Sequence, residues 1–193
     1  WFTQPTVDLP ASQLPEDVLK GRSLFYSSTK GTMAADGSGV SCSTCHLDGR
    51  NDGLTWQFPE GARQTPSLAG SVSSTAPVTW TQTVESVAME AMITSERRMG
   101  GSSLPESAAA SIQAFVDSTP DADVEERGAT TEAVRLGEEI FNRPEVGCAT
   151  CHTAPLYTNN KSYPMFGEVS VNTPSLIGVA ATAPYIHDGS ARS

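Results

Sequence analysis

All four cysteines of this 193-residue chain, and two of its three histidines, fall into two copies of one short pattern. Cys42-Ser43-Thr44-Cys45-His46 and Cys148-Ala149-Thr150-Cys151-His152 each place two residues between the thiols and a histidine directly after the second. That is the spacing of c-type haem attachment. Two thiols add to the two vinyl groups on one edge of a porphyrin, and the adjacent imidazole swings under the ring to ligate iron. On this reading Cys42, Cys45, Cys148 and Cys151 are thioether anchors, and His46 and His152 are the proximal ligands of two covalent haems. Three other chemistries use paired cysteines. A four-cysteine zinc site has no need of a histidine after each second cysteine. A redox-active dithiol sits at a helix start within a βαβ pattern, which this chain lacks. Two-residue disulfide loops are strained and staple little.

The elements that must hold these motifs are themselves duplicated. Gly21-Arg22-Ser23-Leu24-Phe25 answers to Gly137-Glu138-Glu139-Ile140-Phe141, upstream of each motif. Downstream, Thr65-Pro66-Ser67-Leu68 answers to Thr173-Pro174-Ser175-Leu176, and Thr75-Ala76-Pro77 to Thr182-Ala183-Pro184. The two halves read as copies of one haem-binding unit. A short helix is expected before each motif. Pro15 opens the first, ahead of Val18, Leu19 and Leu24, and Thr131 caps the second, ahead of Val134, Leu136, Ile140 and Phe141. A further helix is expected from Val84 to Arg98, ending at Gly100-Gly101, and another from Pro105 to Val116. The fold expected is mostly α, with two tandem cytochrome c-like domains at 1–117 and 132–193 and an acidic linker at 118–131. The second unit stops at Ser193, where the first begins its later helices. The comparison implies that a C-terminal part of that unit is supplied by a longer native chain or by a partner.

Composition narrows the partners. With 22 acidic against 12 basic residues the net charge is −10, which disfavours nucleic acid and favours basic-surfaced redox proteins. No apolar run approaches the roughly 18 residues of a membrane span. The chain begins with Trp1 and not with Met, so a removed leader or upstream segment is expected.

The paired motifs, with Thr173-Pro174-Ser175-Leu176-Ile177-Gly178-Val179 running into Thr182-Ala183-Pro184-Tyr185-Ile186-His187-Asp188-Gly189-Ser190, resemble the bacterial di-haem cytochrome c peroxidase and MauG-like superfamily. The stretch from Asp48 to Trp56 resembles a branch of it known mainly as cytochrome c domain proteins. The resemblance implies two helical cytochrome c domains with their haems facing a shared interface, in a periplasmic or extracellular setting. It also implies, in the peroxidases, one electron-storing His/Met haem and one haem that opens to peroxide. Asn51, Asp52 and Asp188 are the oxygen donors available for the structural calcium that some relatives hold between domains.

The sixth ligand of each iron decides between electron transfer and activation of a small molecule. Met33, Met89, Met92, Met99 and Met165 are the thioether candidates. Met99, at a helix end in Arg98-Met99-Gly100-Gly101, is the expected ligand of the first haem, with Met92 in reserve. For the second, Met165, His187, a residue beyond Ser193 or no ligand all remain open. His187 corresponds to Trp80 in the first unit, so it is expected near the haems without ligating iron. Trp56, Trp80, Tyr157 and Tyr185 either wrap the porphyrins or shorten an electron path. Two functions follow: an electron carrier, alone or as a subunit of a larger assembly, and a peroxidase, for which Glu60, Gln64 and Glu85 are the side chains to test.

Overall fold

The computed structural model describes residues 12–70, 72–121, 130–165, 167 and 170–192. Among them the chain is mainly helical, with two short antiparallel hairpins. In the first half, helix α1 (Glu16–Phe25) is followed by the one-turn helix α2 (Cys42–Cys45) and a hairpin of β1 (Thr55–Phe58) and β2 (Gly61–Gln64). Helices α3 (Val87–Ile93) and α4 (Glu106–Asp117) complete it. The second half begins with α5 (Thr131–Phe141) and the one-turn α6 (Cys148–Cys151). A hairpin of β3 (Ser162–Pro164) and β4 (Ser170–Asn172) follows. Most of the acidic linker, residues 122–129, lies outside the described residues.

The first half owns the hydrophobic core. Leu24 and Phe25 of α1 and Ala109, Ile112 and Val116 of α4 are buried together with Met33, Val78, Val84, Val87 and Leu104. The α1–α4 crossing is tight because Gly21 lies on it: a Cβ there would fall 1.8 Å from the Ser111 carbonyl oxygen. Phe25 and Phe115 pack at 5.2 Å between ring centres beside that crossing.

Local chemistry sets the helix limits. Thr130, one residue before the expected cap, accepts a hydrogen bond from the Ala133 amide through Oγ1, so Thr131 is already inside α5. The helix expected from Val84 starts at Val87, because Ser86 Oγ caps the Met89 amide and Val84 is bridged to Val78. Its far end winds into a π turn, Thr94–Arg98, closed by a bond from the Met99 amide to the Thr94 carbonyl. Gly100, with φ of 73°, then ends it.

The repeat is visible in backbone geometry. Ala76-Pro77 and Ala183-Pro184 are both cis, Thr79 and Ile186 have φ of 77° and 68°, and Gln82 and Gly189 have φ of 53° and 67°. A β-bridge closes each turn, Val78 to Val84 and Tyr185 to Ala191.

These turns are where the halves meet. Gln82 of the first turn donates Nε2 to the Asn160 carbonyl at 2.7 Å, while Ser162 Oγ donates to Gln82 Oε1, also at 2.7 Å. In exchange, the second turn lies along the first hairpin: the Gln64 amide donates to the His187 carbonyl at 2.7 Å and Thr55 Oγ1 to the Asp188 carbonyl at 3.2 Å. Gly189 permits this approach, since a Cβ there would sit 2.2 Å from Thr55 Oγ1.

Candidate cofactor-binding site

Each Cys-X-X-Cys segment forms one helical turn, Cys42–Cys45 and Cys148–Cys151, with its histidine at the C-cap. The backbone at His46 (φ −103°, ψ 67°) and at His152 (φ −94°, ψ 72°) is nearly the same, and each amide bonds the carbonyl of the first cysteine. Two unrelated loops do not reach the same pose by chance. Nδ1 of His46 lies 3.1 Å from the Arg50 carbonyl, and Nδ1 of His152 lies 2.9 Å from the Tyr157 carbonyl. A carbonyl can only accept, so Nδ1 carries the proton and Nε2 keeps its lone pair for a metal.

Electrostatics support this state. Burial lowers the His46 pKa, partly opposed by the Arg50 and Pro66 carbonyls and by the charges of Asp52 and Glu90, so the ring is neutral at pH 7. Burial pushes the Cys42 thiol up to about 11, and burial with the Asp52 charge raises Cys45 as well. Both thiols are therefore protonated, the opposite of the lowered pKa on which a dithiol oxidoreductase depends. All four cysteines are free, and among the described residues no three His, Cys, Asp or Glu side chains gather as a metal cluster, so the two pairs do not join in a zinc site.

The surroundings fit a flat apolar cofactor. Leu47 and Leu54, soon after the first motif in sequence, and Tyr157, soon after the second, are large side chains left exposed by the polypeptide, as are Ile177 and Val179. Behind each motif the Thr-Pro-Ser-Leu segment repeats its hydrogen bonds. The Thr65 and Thr173 amides bond the Leu54 and Lys161 carbonyls, while Ser67 and Ser175 Oγ accept from the Ala69 and Ile177 amides. The residues thus suit covalent haem at both motifs.

The other site candidates separate by position. Met33 is fully buried in the core, and Met89 and Met165 are exposed. Met92 and Met99 are both half-buried against the core. Met99 is also pinned on both sides of its peptide, by the π-turn bond and by the Ala35 amide on its carbonyl at 2.8 Å. His187 is buried at the junction of the halves, as is Gln64. Trp80 spans that junction, donating Nε1 to the Gln64 carbonyl at 2.8 Å and accepting from the Asn172 amide, also at 2.8 Å. Trp56 is tied to Asp52 Oδ2, whose other oxygen accepts from the Leu54 amide. Asn51 donates Nδ2 to the Thr182 carbonyl across the halves, and Asp188 Oδ1 accepts from the Ser190 amide.

Glu85 and Glu60 are exposed, but Glu60 pairs with Arg98 at 3.1 Å. The same guanidinium bonds Glu90 and lies 5.2 Å from the Phe58 ring centre. Glu90 escaped the sequence reading. Its Oε1 also accepts from Thr94 Oγ1, and its Oε2 is buried with no hydrogen-bond partner among the described residues. It is within electrostatic reach of His46. The available signal was a lone acid on the apolar face of a helix, between Met89 and Met92.

Comparison with solved structures finds the same fold elsewhere. No family model and no curated protein matches the chain. Its fold is similar to a chain of the Kuenenia stuttgartiensis hydrazine synthase, at TM-score 0.76 and 16% identity over 100% of this chain and 88% of that one. It is similar also to a MauG-like protein associated with microbial copper homeostasis, at TM-score 0.68 and 23% identity over 98% and 74%. The diheme peroxidase BthA from Burkholderia thailandensis follows at TM-score 0.61 and 17% identity, over 91% and 68%. The chain thus shares its fold with these three proteins, a MauG-like protein and a diheme peroxidase among them.

Proposed function

We propose that this protein is a di-haem c-type cytochrome that passes single electrons through two haems, held by Cys42 and Cys45 with His46, and by Cys148 and Cys151 with His152. The observation that carries the reading is the repeated pose of the two histidines, each at the end of a Cys-X-X-Cys turn with Nδ1 on a backbone carbonyl. Haem iron, when bound, supplies reversible one-electron chemistry and, where an axial position is open, binds small molecules. The chain's contribution is to fix the imidazoles, exclude water and hold a thioether at Met99. Trp80, bonded to both halves, stands at the junction between them. The net charge of −10 suits a basic-surfaced redox partner, and covalent haem suits a periplasmic or extracellular setting. The chain then acts alone or as a subunit of a larger electron-transfer assembly.

The second reading, a peroxidase reducing hydrogen peroxide at one open haem, is favoured by Glu90. A buried carboxylate oxygen without a donor is placed to accept and return a proton near the first site. Carbon monoxide binding to the fully reduced protein, referenced to total haem, separates the two. No binding supports the carrier; binding at about half of the haem, with turnover of peroxide lost in Glu90→Gln, supports the peroxidase. Met99→Ala should open the first haem, and an unchanged spectrum and potential would remove Met99 as its ligand. Denaturation that releases free haem would overturn covalent attachment at both motifs.

A further inference from the structure

We propose that Arg98 is a positioning residue for the thioether of Met99: it clamps the turn that carries Met99 to the β1–β2 hairpin and so keeps the first haem closed. The proposal rests on the reading of Met99 as that haem's axial ligand.

The two sides of Met99 are held by different means. Beyond it, the main chain is bonded to the segment 31–35. The Ala35 amide donates to the Met99 carbonyl and the Ser102 amide to the Gly31 carbonyl, both at 2.8 Å. Gly101 allows this approach, since a Cβ there would fall 2.6 Å from the Thr32 carbonyl oxygen. Before Met99 the chain is the π turn Thr94–Arg98, whose hydrogen bonds close over five residues where an α-helix closes over four. Relaxing that turn to an α-helix would swing the side chain at 99 by about 100° around the α3 axis, the angle that each residue of an α-helix subtends. A ligand carried by this turn therefore needs its winding held.

Arg98 spans the turn. Its Nη1 donates to Thr94 Oγ1 at 2.6 Å, where the turn begins, and to Glu90 Oε1 one turn further back in α3. Its Nη2 donates to Glu60 Oε1 at 3.1 Å, between β1 and β2, and the guanidinium lies 5.2 Å from the centre of the Phe58 ring. One planar group thus fixes the turn to its own helix and to the hairpin, which a lysine ammonium cannot do with the same geometry. The hairpin is itself bonded to the second half, through Gln64 and Thr55. The side chains of Arg98 and Glu90 are 28% and 26% exposed, against 52% for Arg135, whose two partners both lie on its own helix. The Arg98 pair is the better shielded from water and the one that joins separate elements.

The test uses the haem-loaded chain and follows the far-red charge-transfer band of thioether-ligated ferric haem while imidazole is added to compete for the iron. In Arg98→Gln the imidazole concentration that removes half of the band should fall about tenfold, the effect of losing one charged hydrogen-bonded contact. Arg98→Lys keeps a charge beside Glu90 and should lower the midpoint by less; it decides the matter where Arg98→Gln does not fold. Arg97→Gln removes the same charge from the adjacent residue and should leave the midpoint unchanged. An unchanged midpoint in Arg98→Gln, or in Arg98→Lys where the first variant does not fold, would overturn the proposal. So would an equal fall in Arg97→Gln, since net charge and not the clamp would then be the cause. A band that is missing from the unmodified protein, or that survives Met99→Ala, removes the ligand reading and the proposal with it. A band that Met99→Ala abolishes and that Arg98→Gln leaves equally resistant to imidazole keeps the ligand reading and removes the positioning role alone.

Discussion

The two halves carry the same order of helix, motif, hairpin and turn, yet they bury it differently. In the first, α4 lies across α1 and the core closes over Leu24, Phe25 and Ile112. In the second, all residues of α5 up to Ile140 are exposed, and the Phe141 ring meets that of Tyr157 at 6.0 Å between centres. The motifs themselves are indifferent to this. His46 and His152 adopt one pose because that pose is made by a single turn and a nearby carbonyl, and needs no core. The pose of each motif is thus a local property of the chain, whereas domain stability is a property of what packs around it.

The sharpest way to break the equivalence is to remove anchors from one half at a time. Replacing Cys148 and Cys151 by alanine should leave half of the covalent haem, at the first motif, measured by haem stain and intact mass. The mirror substitution of Cys42 and Cys45 should leave the other half. Full loss from either pair would show that the motifs are not independent.

Core truncation should separate the halves next. Leu24→Ala is expected to cost about 2–5 kcal/mol in denaturant unfolding, as for buried leucines generally. Ile140→Ala in the exposed stripe should stay within about 0.5 kcal/mol. Equal costs would mean that α5 is buried in solution.

The junction comes third. Asn160 Nδ2 donates to the Ala76 carbonyl, so Asn160→Ala strips a bond between the halves and should cost about 1–3 kcal/mol. It should also split unfolding into two transitions when followed at the haem and by far-ultraviolet circular dichroism.

The smallest effect concerns the ion pairs. In the first half Arg98 ties the hairpin to α3 through Glu60 and Glu90; in the second, Arg135 pairs with Glu132 and Glu139 on an open helix surface. The Glu60 pKa is lowered by its own backbone amide and by Arg98. A lowered carboxylate pKa means that the folded state holds its proton less tightly than the unfolded one. The stabilisation is complete above the unfolded value near 4.5 and fades as pH falls through the lower folded value. Glu60→Gln should therefore cost under about 1 kcal/mol at pH 7, and the difference from the unmodified protein should vanish at low pH. Arg135 likewise lowers the Glu132 pKa, but on an open, solvent-screened surface, so Arg135→Ala should change the acid limb of the unfolding profile less than Glu60→Gln does.

Much of the site was legible before any coordinates. The spacing of two cysteines and a histidine encodes one turn of helix, and the repeated Gly, Thr-Pro-Ser-Leu and Thr-Ala-Pro segments mark equivalent places in two units. The hairpins were not legible, since Thr55–Phe58 and Gly61–Gln64 are four residues each and lack a clear apolar alternation. Nor was Glu90, whose importance comes from a buried oxygen and a neighbouring guanidinium that is eight residues along the chain.

What the sequence determined by itself is whatever needs only neighbours along the chain: the one-turn Cys-X-X-Cys segments with their histidines at the C-cap, and the repeat. Tertiary structure alone decided which of two matching helices is buried. It also decided that each half's turn is held by the other half's hairpin, and that Trp80 and Gln64 share the junction. Those outcomes depend on surfaces brought together from distant segments, and a local pattern carries no information about what will arrive to cover it.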